Sequence, residues 1–160
     1  MDLRKFNARI LENKKIRRFP MLTLNEIIEK ISSATPKFFS GCDLTNAFLQ
    51  CNLDPKSLDY FSFSKHLGNF RYTKIVYGYT QSQSIFQAQM NRILNGLLWL
   101  HCLAFLDDVI IFNTEFSDHW LSIKQVLQRF MECNVKLVSN KSTFCLPSVH
   151  YMGIQLKLIL

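Results

Sequence analysis

The feature that most constrains the fold of this chain is a pair of adjacent aspartates inside an apolar run. Asp107 and Asp108 stand in FLDDVIIF, residues 105–112, and the apolar character extends upstream to Leu97. A buried unpaired carboxylate costs several kcal/mol, and two adjacent carboxylates also repel each other. Within a regular strand, neighbouring side chains point to opposite faces, so the two could not both face one ligand. The sequence therefore predicts a tight hairpin tip between LAFL and VIIF, which returns both carboxylates toward solvent at one end of a sheet.

A third carboxylate follows a second apolar run. KFFSGCDL predicts a short strand that ends at Asp43. Three carboxylates at two strand ends could hold a pair of Mg²⁺ ions about 3.5–4 Å apart, because hard cations prefer oxygen ligands. Such a pair suits phosphoryl transfer, in which one metal activates an attacking hydroxyl and the other stabilises the leaving pyrophosphate. The alternative is an ordinary Asp-Asp turn between two apolar strands, and the residues alone leave both interpretations open.

The composition fits a globular chain and favours an anionic partner without requiring one. Hydrophobic residues make up 48% of the 160 residues and charged residues 19%, which excludes a disordered chain. The length suits one domain or part of a larger protein. The formal net charge is +7, and residues 4–18 hold seven basic residues against one Glu. That segment is either a solvated arm or a surface for phosphate groups.

The cysteine and hydrophobic patterns exclude several classes of protein. The five cysteines form no C-x-x-C pair and share no zinc spacing with the histidines, so reduced thiols are expected. No signal peptide is recognisable, and residues 97–112 are too short and too acidic to span a bilayer. The predicted location is therefore intracellular, in the cytoplasm or the nucleus.

Other catalytic motifs are weak or absent. The chain has no Walker loop, no G-x-G-x-x-G and no G-x-S-x-G elbow. Asp118 beside His119, with several serines nearby, predicts an acidic helix start rather than a hydrolytic triad. His101 and Cys102 predict core packing rather than a metal-binding pair.

Helix and strand patterns alternate irregularly along the chain, which predicts the α+β class. Residues 23–34 open on a capping box, Thr23 followed by Glu26, and continue as a helix. The other predicted elements are a helical turn followed by a strand in residues 44–53, a hairpin in 59–77, an amphipathic helix in 81–99, a helix in 117–133 capped by Ser117 with Trp120 and Met131 on its apolar face, and one or two strands broken around Pro147.

Several blocks, taken in order, resemble the reverse transcriptase of gypsy-type LTR retrotransposons and, more distantly, of retroviruses. They cover essentially the whole chain, and their order and spacing are far more specific than any one block. The blocks are DLRKFN at residues 2–7, R-x-P at 18–20, FFSGCDLTNAFLQCNLDP at 38–55, a hairpin, turn and helix at 60–94, FLDD at 105–108 and HYMG at 150–153.

The resemblance implies a right-hand polymerase with fingers and a palm built on a ferredoxin-like sheet. The thumb would be absent, and residues 1–160 would form a single partial reverse transcriptase domain. It implies that Asp43, Asp107 and Asp108 hold two Mg²⁺ ions, with Mn²⁺ as the alternative. They would catalyse nucleotide transfer from a dNTP to a primer 3′-OH on an RNA or DNA template.

The resemblance also implies roles for residues around these acids. Phe48 would be a steric gate whose ring clashes with a ribose 2′-OH, and ordinary core packing is the alternative for that ring. The implied nucleotide-binding residues are Phe48, Tyr77 and Gly78, and the implied primer-contacting residues are Phe105, Tyr151, Met152 and Gly153.

The chain departs from the family pattern at several points. Phe105 stands where the family has Tyr, and Val76, Tyr79 and Gln83 replace a Pro, a Leu and a Pro. The family begins earlier, with basic residues that clamp the triphosphate, and continues into a thumb, connection domain, ribonuclease H and integrase. We therefore expect a polymerase fragment of a Pol polyprotein, and leave open the activity of this chain alone. The alternatives are an inactive remnant that binds nucleic acid through its basic surface, and a small structural domain without such a role.

Overall fold

The β-branched run VIIF and the run FFSGC form neighbouring strands at the centre of a four-stranded antiparallel sheet. The computed structural model describes residues 2–12 and 19–157. Besides a 3-10 helix at Pro55–Phe61, the elements in chain order are α1 (Arg4–Glu12), α2 (Leu24–Ala34), β1 (Phe38–Asp43), α3 (Ala47–Gln50), β2 (Ser62–Lys65), β3 (Gly68–Arg71), α4 (Ser82–Ile93), β4 (Cys102–Phe105), β5 (Asp108–Asn113), α5 (Phe116–Glu132), β6 (Thr143–Leu146), β7 (Ser148–Tyr151) and β8 (Ile154–Lys157).

The central sheet has the strand order β4-β5-β1-β6. With α4 and α5 between its strands, it follows the β-α-β-β-α-β succession of the ferredoxin-like motif. Alternation along β5 sends its side chains to two separate cores. Val109 and Ile111 pack in the first cluster with α4 and α5, whereas Ile110 and Phe112 pack in the second with α2 and β7. This mixed architecture with antiparallel sheets confirms the predicted class.

Local signals placed several elements correctly. At the start of α2, the Thr23 hydroxyl accepts from the Glu26 N–H at 3.3 Å, and the Glu26 carboxylate accepts from the Thr23 N–H at 2.7 Å. These bonds from Thr23 lower the pKa of Glu26. A break at Pro147 separates β6 from β7, as predicted, although β8 then adds a third strand.

Other expectations were wrong in detail. Residues 44–53 contain the helical turn α3 and two isolated bridges, Leu44 with Leu137 and Asn52 with Lys74, rather than a strand. The hairpin is shorter than residues 59–77, because its first aromatic residues belong to the 3-10 helix. Helix α4 ends at Ile93, well before Trp99.

Helix α5 also differs from its prediction. Its N-cap position is Glu115 rather than Ser117, and no side chain closes the cap. Trp120 is 55% exposed and Met131 80% exposed, so neither faces the core. The buried stripe instead comprises His119, Ser122, Ile123, Val126 and Phe130. Because His119 and Ser122 in this stripe are polar, the sequence pattern did not indicate that this face is buried.

A third cluster joins α1 to the segment around the β2–β3 hairpin. It contains Leu3, Phe61 and Val76, with Tyr72 and Tyr79 packed against it. No helix in residues 2–12 and 19–157 combines the length and apolar character needed to cross a membrane.

Candidate active site

Three acidic side chains meet at one end of the central sheet. The antiparallel register pairs Asp43, the last residue of β1, with Asp108, the first residue of β5. Directly opposed residues lie on the same face with Cβ atoms about 4.5–5.5 Å apart. Asp107 and Leu106 form the two-residue turn between β4 and β5. The hairpin tip predicted from FLDD is thus present, and it places Asp107 and Asp108 at the same end of the sheet as Asp43.

The hairpin tip holds a strained backbone. Leu106 has φ 51°, a left-handed conformation that costs a non-glycine residue about 1–2 kcal/mol. The side chain of Gln87, only 2% exposed, holds this turn. Its Oε1 accepts from the Leu106 N–H at 2.7 Å, and its Nε2 donates to the Ala104 carbonyl at 3.0 Å. Gln87 therefore positions the hairpin that carries Asp107 and Asp108.

Asp108 lies in an environment that disfavours its negative charge. Asp43 and Asp108 are half-buried and Asp107 is exposed. Burial raises the pKa of Asp108, and the charges of Asp107 and Asp43 raise it further. A cation placed among the three carboxylates would offset this repulsion.

The donor atoms suit a hard divalent cation in kind, since all are carboxylate oxygens. Within the described ranges, no three His, Cys, Asp or Glu side chains are already arranged as a metal site. Ion binding would therefore require the carboxylates to adjust their rotamers. A cavity of about 270 Å³ adjoins the site, and Asp43, Asp108, Lys141 and Tyr151 line it. Lys141 was not predicted, since a loop lysine gives no signal that separates it from a solvated one.

The three residues expected at the nucleotide lie together near α3. The Phe48 ring contacts Tyr77 edge-on at 5.1 Å and Phe86 edge-on at 5.3 Å. Phe86 is buried, whereas Tyr77 is 58% exposed. Packing against the buried Phe86 agrees with the interpretation of Phe48 as a core residue. Contact with the exposed Tyr77 places the same ring near the surface. Gly78 has φ 82°, and open space surrounds the position of a Cβ.

Sequence reasoning missed the residue that holds this turn. The Asn7 side chain donates to the Gly78 carbonyl at 2.8 Å and accepts from the Thr80 N–H at 3.0 Å. Asn7 is the last residue of the DLRKFN block, and the preceding Phe6 packs 5.8 Å from Tyr79. The available signal for Asn7 was its place in the DLRKFN block. In the structure, Asn7 holds a segment some seventy residues later in the chain.

Of the four residues expected at the primer, Phe105 and Tyr151 lie next to Asp108. Tyr151 is only 4% exposed, its hydroxyl lies 3.5 Å from the Asp108 carbonyl, and burial raises the pKa of that phenol. Phe105 and Met152 pack against the same second cluster as Tyr151. Met152 and Gly153 form the β7–β8 turn, and both have positive φ, 49° and 78°. Such a turn is the type I′ geometry favoured in two-residue hairpins.

The hydrolytic alternative for Asp118 and His119 is wrong. His119 is fully buried, with Nε2 2.8 Å from the Ser40 hydroxyl and Nδ1 3.0 Å from the Asn113 side-chain oxygen. Burial lowers the pKa of His119. Because Ser40 is also fully buried, it cannot meet a substrate.

The remaining predictions on thiols and basic residues have mixed outcomes. All five cysteines are free, as expected for reduced thiols, and burial raises the pKa of Cys42 and Cys102 to about 12. Cys102 lies in the first core cluster and His101 hydrogen-bonds Ser122 at 3.0 Å, which fits core packing. Four of the seven basic residues in the segment 4–18, Arg18 of the R-x-P block among them, lie outside the described residues.

Several known proteins are similar to this chain in sequence. The family model described as "Reverse transcriptase (RNA-dependent DNA polymerase)" matches residues 1–156. The Retrovirus-related Pol polyprotein from transposon 297 of Drosophila melanogaster is 32% identical over 153 residues, covering 96% of this chain and 14% of that protein. The corresponding polyprotein from transposon gypsy of the same organism is 30% identical, with the same shares covered. The chain thus spans about one-seventh of the length of these curated relatives.

Solved structures share the fold. The native prototype foamy virus protease–reverse transcriptase gives a TM-score of 0.82 at 18% identity, covering 98% of this chain and 20% of that one. A foamy viral protease–reverse transcriptase in complex with an RNA/DNA hybrid gives 0.76 at 19% identity, with the same shares covered. The match of the family model over residues 1–156 shows that the chain belongs to the reverse transcriptase family.

Proposed function

We propose that residues 1–160 are the fingers–palm portion of an RNA-directed DNA polymerase, a single partial domain of a longer Pol polyprotein. The observation that carries this proposal is the register that sets Asp43 opposite Asp108, with Asp107 at the adjoining tip. In this proposal the central sheet with α4 and α5 is the palm. The α1 segment and the β2–β3 hairpin belong to the fingers.

The three aspartates would hold two Mg²⁺ ions, or Mn²⁺ in their place. Bound there, the metals would activate the primer 3′-OH and stabilise the charge on the leaving pyrophosphate. The protein's own contribution is to position the carboxylates: the strand register fixes Asp43 against Asp108, and Gln87 fixes the turn before them. Opposite charge would also lower the pKa of Asp108, which burial and its neighbours raise.

The remaining residues would select and orient the substrates. Phe48, with Tyr77 against one edge, would exclude a ribose 2′-OH and so favour a dNTP. Gly78 would allow the backbone to approach the nucleotide. The primer end would lie beside Phe105 and the β7–β8 turn, whose residues Met152 and Gly153 pack near Tyr151. The complexes of related foamy viral enzymes with duplex DNA and with an RNA/DNA hybrid support a primer–template as the partner.

Primer extension with Mg²⁺ tests the proposal on this chain and on the longer polyprotein that contains it. We expect Asp107→Asn to lower the extension rate at least about 100-fold, since loss of one preorganised electrostatic group has this effect. Asp118→Asn is the matched control, because Asp118 is an exposed acid in the first turn of α5, away from the site. Asp107→Asn protein that extends primers at the wild-type rate would refute the metal role.

The second candidate is an inactive remnant that binds nucleic acid. The net charge of +7 and the replacement of the family's Tyr by Phe105 favour it. A Mg²⁺ titration of the melting temperature separates the two. A preserved site predicts a rise that Asp108→Asn abolishes, because a ligand that binds only the folded state stabilises it. A remnant predicts salt-dependent binding of RNA or DNA with neither extension nor a metal-dependent rise.

A further inference from the structure

A cavity of about 260 Å³ lies at the outer edge of the central sheet, between α2, α4 and the edge strand β4. Its apolar wall comes from both core clusters, since Leu98 packs against the first cluster and Leu103 belongs to the second. Gln87 and Ala104, both buried, form its inner wall. The remaining lining residues are Pro20, Met21, Leu22, Glu26, Asn91 and Trp99. Apolar walls with a few polar groups are the usual form of a small-molecule site, and we call this space the edge cavity.

The charge of the edge cavity favours a cationic ligand. Glu26 lines it on the α2 side, and hydrogen bonds from the backbone and hydroxyl of Thr23 lower the pKa of this carboxyl group, so it is charged at neutral pH. Within the described part of the chain, both of those bonds reach Oε2, so Oε1 remains available for a ligand. Among the described residues, none of those that line the cavity is basic, although the whole chain has a net charge of +7. A cation therefore finds a carboxylate here without a competing lysine or arginine.

Trp99 adds an aromatic ring at the mouth of the edge cavity. It is 46% exposed, and Glu26, which lines the same cavity, is exposed as well. The backbone of Trp99 is left-handed, with φ 70°, and its N–H donates to the Cys102 carbonyl at 2.9 Å. A bulky residue adopts this conformation only where the surrounding structure imposes it. Because a cation is attracted to the face of a Trp ring, the ring and the carboxylate favour the same ligand group.

The inner wall of the edge cavity is linked to the turn that carries Asp107. Asn91 Oδ1 accepts from Gln87 Nε2 at 2.8 Å. Gln87 in turn accepts from the Leu106 N–H and donates to the Ala104 carbonyl. A molecule that contacts Gln87 in the cavity is therefore separated from the β4–β5 turn by that side chain alone.

We propose that the edge cavity binds a small amphipathic amine, whose apolar part lies against Leu98 and Leu103 and whose ammonium group lies at the mouth, near Glu26 and Trp99. Bound there, the amine holds Gln87 in place and slows the local opening of the β4–β5 turn. The binding and its effect on the turn are independent of the proposed function. Only their consequence for polymerisation rests on it.

Titration of phenethylamine, followed by Trp99 fluorescence, tests the proposal in EDTA and without nucleic acid. A Trp120→Phe background leaves Trp99 as the single tryptophan, since the chain has two. We expect saturable quenching with a Kd on the order of 1 mM, as suits so small a ligand. Phenethyl alcohol has a similar shape without the charge. It should bind at least about threefold more weakly, because it lacks the attraction to the ring and the carboxylate.

Glu26→Gln tests the contribution of the carboxylate. Glutamine can keep the capping box of α2, so the helix should form as before. This variant should bind phenethylamine about threefold more weakly and phenethyl alcohol equally well. Glu29→Gln is the matched control, because it removes another exposed acid of α2, outside the residues that line the cavity. The proposal fails if neither compound binds, if the alcohol binds as tightly as the amine, or if Glu29→Gln weakens amine binding as much as Glu26→Gln.

Hydrogen exchange of the Leu106 amide tests the link to the turn. Saturating phenethylamine should slow this exchange at least about threefold, and more than it slows the exchange of core amides. Unchanged exchange at Leu106 in the saturated protein would overturn the effect on the turn.

Asp107→Asn separates this proposal from the proposed function. It should lower primer extension and leave the affinity for phenethylamine unchanged. Amine binding by a protein that extends no primer would refute the proposed function alone, and primer extension by a protein that binds no amine would refute the edge cavity alone.

Discussion

The two ends of the central sheet hold their polar groups in opposite ways. At the end where Phe38 pairs with Asn113, His119 bridges Ser40 and Asn113 by two hydrogen bonds. At the other end, the register pairs Asp43 with Asp108, and burial, together with the charges of Asp107 and Asp43, raises the pKa of Asp108. The polar groups of the first end are hydrogen-bonded to one another, whereas the second end holds a carboxyl group, Asp108, whose charged form its surroundings disfavour.

The hydrogen bonds of the buried end are mutually consistent. The Ser40 hydroxyl accepts from the Cys145 N–H at 3.0 Å, so its own proton can go to His119 Nε2. The other ring nitrogen then carries the proton that the Asn113 oxygen accepts. A neutral histidine thus satisfies every member of the group. Buried polar groups whose hydrogen bonds are all made stabilise the structure. Charged groups in a cleft that lack a compensating partner indicate a ligand site.

The largest effect should come from His119→Ala. This change removes both hydrogen bonds, leaves the proton of the buried Ser40 hydroxyl without its acceptor and the half-buried Asn113 oxygen without its donor, and opens a cavity. We expect a loss of about 3–4 kcal/mol in the free energy of unfolding, measured by urea denaturation. Trp120→Ala, one residue along the same helix but exposed, should change it by less than about 0.5 kcal/mol. Equal losses in the two variants would contradict a structural role for the buried end.

A smaller loss is expected from Gln87→Ala, which acts on the acidic end. The Leu106 N–H and the Ala104 carbonyl would lose their partners, at about 2–3 kcal/mol. Because the left-handed Leu106 depends on this bond, the exchange rate of its amide hydrogen should rise more than that of core amides. Gln83→Ala, an exposed glutamine on the same helix, is the control. An unchanged Leu106 amide would show that packing alone holds the turn.

Sequence rules found the parts of the fold that depend on neighbouring residues. The capping box set the start of α2, and the acidic pair set the β4–β5 tip, because each signal lies within a few residues. The buried stripe of α5 was misplaced because His119 and Ser122 look like surface residues. Their partners, Ser40 and His101, come from distant parts of the chain.

The same limit applies to the candidate site. Three acids stood out because carboxylates in apolar runs are costly, and the register then brought Asp43 opposite Asp108. Gln87 and Asn7 gave no such signal, since each is an ordinary polar residue whose role lies in a long-range hydrogen bond. Carboxylates inside apolar runs were therefore predictable, whereas the loop residue Lys141 and the residues that position backbone were not.

The smallest expected effect is on the pH dependence of the free energy of unfolding, which should differ between the two ends of the sheet. Burial lowers the pKa of folded His119 from its ordinary value of 6.5, so the unfolded chain binds the proton more tightly. Stability from His119 is therefore present above pH 6.5 and is lost as the pH falls through the lower folded pKa. Asp108 has the opposite sign, because its folded pKa is raised from 3.8. Its contribution is present below pH 3.8 and is lost as the pH rises through the folded pKa.

Urea unfolding at a series of pH values, in EDTA, measures the contributions of His119 and Asp108. Each is the difference in the free energy of unfolding between the variant and the wild type. The difference curve of His119→Gln should change below about pH 6.5, and that of Asp108→Asn should change just above pH 3.8, with opposite slopes. Each variant is the control for the other. Adding Mg²⁺ should reverse the Asp108 slope and leave the His119 slope unchanged, because only the acidic end gains a cation. Parallel difference curves from the two variants would mean that the polar groups at both ends of the sheet are compensated within the protein. The acidic end would then give no indication of a ligand site.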